Sequence, residues 1–111
     1  MISIELLEAI RTNDYKVLAI DVDKEDNKIG YLLSNKQWYW INIYELAHKC
    51  KEWAILNGGY NIWSSGYGKE CYIDGRRFKE FENIRFLAAS EPEAIFKACE
   101  WILEQIKNKK D

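Results

Sequence analysis

An α+β fold, built from an antiparallel meander sheet with three helices packed on one or both of its faces, is what this sequence predicts. Three observations lead there. Two helical periods open on clear capping residues, at Asn42 and at Ser90. Between the helices lie short alternating runs rich in aromatic and β-branched residues. Those runs are separated by turn formers too close together for parallel crossovers.

In chain order, Ser3 starts a short first helix with Leu6, Leu7 and Ile10 on its inner side, ending in the turn formers Arg11-Thr12-Asn13-Asp14. Lys16 to Asp23 reads as a strand with Leu18, Ile20 and Val22 on one face. After the polar turn Asp23-Lys24-Glu25-Asp26-Asn27, the chain returns from Ile29 to Ser34 with Ile29, Tyr31 and Leu33 aligned. Ser34-Asn35-Lys36 turns it again into a third strand, Trp38 to Ile41. There Trp38 and Trp40 share one face, and Tyr39 and Ile41 the other.

Asn42 caps a second helix, with Glu45 three residues on and an apolar stripe of Ile43, Leu46, Ala47, Cys50, Trp53 and Ala54. Asn57-Gly58-Gly59 supplies the left-handed residue that ends it. Tyr60 to Ser64 and Glu70 to Ile73 are the next strands, joined by Ser65-Gly66-Tyr67-Gly68. Asp74-Gly75 then suits a type I′ hairpin turn, followed by a strand from Arg76 and another around Ile84 to Ala88. In the last helix Ser90 and Glu93 form a capping box and Pro92 fits the first turn. Ala94, Ile95, Ala98, Cys99, Ile102, Leu103 and Ile106 recur at helical spacing. Its lysine-rich end is expected to fray after Ile106, so the reading is one α+β domain over residues 1–108 and a basic tail at 109–111. The openings Ser3-Ile4-Glu5-Leu6-Leu7 and Asn42-Ile43-Tyr44-Glu45-Leu46 also show a faint internal likeness.

Composition narrows the function classes. The 111 residues suit one core, and the net charge of -2 is spread evenly, with 7 basic and 9 acidic residues up to Asn57 and 9 of each after it. Such a balance supplies neither the basic field of a default nucleic-acid binder nor the acidity of a DNA mimic. The N-terminal residues lack a signal-peptide pattern and no apolar run reaches the ~20 residues of a membrane span, so a cytoplasmic protein without membrane contact is expected. Cys50, Cys71 and Cys99 are odd in number and sit where small apolar residues belong, the pattern of reduced, buried thiols.

From Ile43 to Ile106 the order of helix, Gly-Gly turn, aromatic strands and the helix start Ser90-Glu91-Pro92-Glu93-Ala94-Ile95 with Ala98 is similar to small bacteriophage and prophage proteins, including the phage α/β/α sandwich domain. That resemblance covers a little over half the chain. It implies a mobile-element origin and a helix–sheet–helix layering, and it carries no catalytic residues across.

Weighed as chemistry, the sequence offers no catalytic residues, no metal site and no cofactor. His48 and Cys50 project about 200° apart on a helix, and no Cys-x-x-Cys is present for zinc. Asp21, Asp23, Asp26 and Asn27 lack the glycine and the glutamate of a calcium loop and read as a solvated turn. Ser64-Ser65-Gly66-Tyr67-Gly68 lacks the lysine and helix of a phosphate loop.

Binding residues are another matter. Lys36-Gln37-Trp38-Tyr39-Trp40 joins a cation to three rings. Core packing is the expected fate of Trp38 with Trp40, or of Tyr39 with Ile41, and either pair left open would anchor a protein partner. Arg76-Arg77-Phe78-Lys79 is the one dense basic cluster before the tail, read first as a charged edge that discourages strand pairing. The candidate binding set is therefore Trp38, Tyr39, Trp40, Tyr67, Arg76, Arg77 and Lys79. The expected partner is another protein or a second copy of the chain. The alternative is nucleic acid, held by the Arg76 to Lys79 hairpin and exposed aromatics.

Overall fold

A computed structural model of the chain describes residues 2–11, 15–64, 68–74 and 83–109, Lys109 by its backbone alone. The elements run α1 (Ile4–Ile10), β1 (Val17–Asp23), β2 (Lys28–Leu33), β3 (Trp38–Asn42), α2 (Ile43–Gly58), β4 (Ile62–Ser64), β5 (Glu70–Ile73), β6 (Ile84–Leu87) and α3 (Glu91–Lys109). The fold is α+β with antiparallel meanders, as expected. The six strands divide into two sheets, ordered β1-β2-β3 and β4-β5-β6. Each sheet follows a helix, so the faint likeness of the two helix starts has a counterpart in two helix–meander units.

Helix ends follow local chemistry. Ser3 Oγ accepts the Leu6 N–H at 3.1 Å, Asn42 Oδ1 accepts those of Tyr44 and Glu45 at 2.9 and 3.4 Å, and Ser90 Oγ accepts that of Glu93 at 3.4 Å. Gly59, at φ 70°, closes α2 in the left-handed region and donates its N–H to Ile55 at 2.9 Å. The last helix continues three residues past Ile106, to Lys109. The strand expected from Arg76 lies outside the described residues.

The turns carry their share. Asp23 Oδ1 accepts from the Glu25 and Asp26 amides and Asn27 takes φ 53°, so the acidic run is a hairpin turn. Asn27 then accepts the Ile43 N–H at 2.8 Å, which ties this turn to the start of α2. Lys36, at φ 69°, closes a three-residue β2–β3 loop, with Lys36 N–H on Leu33 O and Leu33 N–H on Gln37 O.

One strand departs from its expected facing. Val17 is buried and Leu18 exposed, because the register slips between Val17 and Ala19. This β-bulge inserts a residue and inverts the alternation ahead of it, so Val17 takes the core place expected of Leu18 while Ile20 and Val22 stay half-buried.

The helices join the two sheets. α1 lies against β1, α2 against α3, and α3 against all three strands of the second sheet. Cys99 Sγ donates to Cys50 O at 3.5 Å across the α2–α3 seam, and Cys71 Sγ donates to Ala94 O at 3.1 Å between β5 and α3. Both contacts need side chains small enough for close backbone approach. Ser3 N–H and Oγ–H both donate to Glu100 Oε1, at 3.1 and 2.8 Å, and Lys107 pairs with Glu5, so α1 is bound to α3 at its start. With α2 on one side and a sheet on the other, α3 buries Phe96 as well as the expected stripe. The α-carbons span 46 × 37 × 16 Å, and the thin dimension fits one layer of helices on one layer of sheet.

All three thiols are free and buried. Burial is the first cause that pushes the Cys71 thiol from 9.0 up to about 12, and Cys99 is raised by its hydrogen bond to Cys50 and by burial. Native protein is therefore expected to react very slowly with a thiol reagent and to release all three thiols on denaturation. A raised folded pKa also gives stability that is complete below the unfolded value and is lost as the pH climbs toward the folded one. The urea midpoint should thus fall as pH rises from 9 towards 12, and the fall should be shallower in Cys71→Ala. Asn42→Ala, which removes two accepted amide bonds, should cost about 1 kcal/mol in the same assay.

Candidate functional site

Alternation along the first sheet separates two faces. Ile29, Tyr31 and Leu33 of β2, with Ile20, Val22 and Ile41 beside them, turn toward the helices. The opposite face holds Ala19, Gly30, Leu32, Trp38 and Trp40, with the charged Asp21, Asp23 and Lys28 toward its far end. Among the described residues no helix covers it. Trp38 and Trp40 are 45% and 48% exposed and stack on one another at 6.1 Å between centroids, tilted 21°.

Gly30 is what lets this pair lie on the sheet. It stands opposite Trp40 in the register, and a Cβ built on it would come within 2.8 Å of the Trp40 atoms Cε2, Cε3 and Cη2. The indole thus rests flat across the glycine, filling the space a side chain would take. Of the two aromatic pairs, Trp38 with Trp40 is the one left open. Tyr39, on the helix side, stacks on Tyr31 at 5.8 Å and still keeps 39% of its surface in water.

Beneath that inner face Arg11 and Tyr31 edge a cleft of about 240 Å³ that Leu7, Ile41, Leu46 and Lys49 also line. The guanidinium carbon lies 5.3 Å from the Tyr31 ring centroid, and Nη1 donates to Tyr15 O at 3.0 Å. Ring face and carbonyl thus share the cation.

The second sheet has an open outer face too. Trp63 stacks on Tyr72 at 4.4 Å, the Tyr72 hydroxyl donates to Glu70 Oε2 at 2.6 Å, and Arg85 Nη2 donates to Glu70 Oε1 at 2.6 Å. The Arg85 hydrogen bond, followed by that of Tyr72, holds the Glu70 carboxyl below its usual range. Glu70 in turn raises both Tyr72 and Arg85. Sequence reasoning missed this constellation, although period-2 alternation does turn Glu70, Tyr72 and Arg85 outward. What it lacked was the register that sets Tyr72 opposite both Trp63 and Arg85.

Of the expected binding residues, the structure brings Trp38 and Trp40 together on one face and puts Tyr39 on the other. Tyr67, Arg76, Arg77 and Lys79 lie outside the described residues. Arg85, the described cation of β6, is bound to Glu70. His48 is exposed, with Nε2 2.9 Å from Glu52 Oε1, while the three cysteines are in the core, so these four do not converge. Among the described residues no group of three or more histidine, cysteine or carboxylate side chains is placed to hold a metal, and no helix is long and apolar enough to cross a membrane.

No family model, curated protein or solved structure matches this chain.

Two outcomes test this geometry. In Gly30→Ala the new methyl should lift the Trp40 ring off the sheet, shifting the near-ultraviolet dichroism and indole emission while the fold persists, since an exposed ring can move aside. Tyr72 should titrate above the ordinary tyrosine range in wild type, and Glu70→Gln should bring it back down, read by absorbance at alkaline pH.

Proposed function

We propose that this chain is a small cytoplasmic accessory protein of phage or mobile-element origin that works by binding another protein, without catalysis, and so modulates a host factor or defence system. The observation that carries the binding part is the stacked Trp38–Trp40 pair, lying open over Gly30 on the outer face of the first sheet. Tryptophan is a favoured anchor at the centre of protein interfaces, because a rigid ring gives much contact area at little entropic cost. A two-ring patch on a strand of uncharged residues fits a protein partner better than a phosphate backbone, which calls for cations. The mobile-element part rests on the Ser90 to Ala98 helix start described above.

Affinity capture from lysate of the source cells, with and without nuclease, tests the reading. A discrete protein should stay bound after nuclease. The double variant Trp38→Ala, Trp40→Ala should lose about 2 kcal/mol or more of that binding, roughly thirtyfold. Capture that disappears with nuclease, or that ignores both substitutions, would contradict the proposal, and the first of these would favour nucleic acid.

A further inference from the structure

The two edges of the first sheet differ sharply. On β1, the bulge at Val17–Ala19 breaks the line of the strand, Glu8 Oε1 takes the Val17 N–H at 2.9 Å, and Asp21 and Asp23 bring negative charge. These devices prevent a further strand from adding there. The β3 edge has none of them. Trp38-Tyr39-Trp40-Ile41-Asn42 has no charge, no proline and no bulge, and its register with β2 is unbroken over five pairs. The helix that follows leaves the sheet at Ile43 and packs chiefly on α3, and Trp38, Tyr39 and Trp40 stay 45%, 39% and 48% exposed.

The phase of the hydrogen bonds says which groups of β3 are free. Leu33 pairs with Gln37 and Asn27 with Ile43 through backbone bonds, so Tyr39 and Ile41, in step with them, bond to β2. The alternate residues Trp38 and Trp40 therefore direct their N–H and C=O groups to the open edge, and Asn42 directs its N–H there, while the Asn42 C=O begins α2 as its N-cap.

Resting on the reading of this surface as a protein-binding one, we infer that its partner is a second copy of the chain, added antiparallel at β3 about a two-fold axis through Trp40. In that register Trp40 faces the partner's Trp40 and exchanges two backbone bonds with it, and Trp38 C=O accepts the N–H of the partner's Asn42. The absence of charge removes the like-with-like repulsion that a two-fold axis imposes on a charged edge. Two sheets become one of six strands. The Trp38–Trp40 stack continues into its symmetry mate on the outer side, and the half-exposed Tyr39 gains the partner's Ile41 as a neighbour on the inner side.

Sedimentation of the full chain over about 1 to 200 µM, with amide exchange at both ends of that range, tests this. A species of twice the 13.2 kDa mass should grow with concentration. The Trp40 and Asn42 amides should exchange fast when dilute and slowly when concentrated. Trp40→Lys and Trp40→Glu should each weaken self-association at least tenfold while keeping the wild-type far-ultraviolet dichroism, and mixing the two should restore a dimer, since opposite charges then meet across the axis. A monomer over the whole range overturns the inference, as does a dimer in which those two amides stay fast or in which the mixed variants do not recombine. In any of those cases, retention of a different protein through Trp38 and Trp40 would leave the broader binding proposal standing, and loss of that as well would remove both.

Discussion

The α2–α3 seam is the contact on which the rest of the structure depends. Among the described residues the two sheets share no strand pairing, so what joins them is the helix layer, where the Cys99 thiol sits on the Cys50 carbonyl at 3.5 Å. Small residues recur there for a steric reason. Ala47, Cys50, Ala54, Ala98 and Cys99 are all buried, and bulky side chains at these positions would push the helices apart. α3 is also pinned on its other side, through Ala94 O to the Cys71 thiol of β5. α3 packs on α2 and on all three strands of the second sheet and must bury apolar surface toward each.

A single helix layer has a consequence on the far side of the molecule. Helices cover one face of each sheet, and among the described residues nothing covers the opposite faces. Both open faces carry stacked rings, Trp38 on Trp40 and Trp63 on Tyr72. The two differ in character. Around Trp63 and Tyr72 the polar groups satisfy one another through Glu70 and Arg85, so the network is closed on itself. Around Trp38 and Trp40 the neighbours are Gly30, Leu32 and Ala19, with Asp21 beyond Gly30 on the next strand, and among the described residues the adjoining strand edge is unpaired. Apolar rings beside free backbone groups constitute a binding surface, whereas rings beside a satisfied ion pair finish a sheet.

How much of this could be read in the sequence follows from which forces are local. Helix starts at Ser3, Asn42 and Ser90 and the stop at Gly59 were legible because a cap is a contact between residues three or four apart. The cysteines were legible as core residues from helical spacing and small size. Leu18 was misplaced because a bulge leaves no mark in an alternating pattern. Phe96 was missed because a one-sided stripe cannot show that α3 is covered from two directions. At the candidate site, the facing of Trp38 and Trp40 was readable from alternation alone. Which face would stay open was not, since that depends on where α1 and α2 pack, and Gly30 acquires its role only through the register with β3. The division into two sheets is likewise a matter of long-range pairing.

Trp38 and Trp40 are open while the helix layer behind them is closed. Hydroxyl-radical footprinting of dilute protein, read tryptophan by tryptophan by mass spectrometry, measures that directly. Oxidation of Trp38 and Trp40 at rates near that of a free peptide, with Trp53, at 8% exposure, strongly protected, is the predicted result. Protection of Trp38 and Trp40 equal to that of Trp53 would contradict it, because it would mean that the outer face of the first sheet is part of the core.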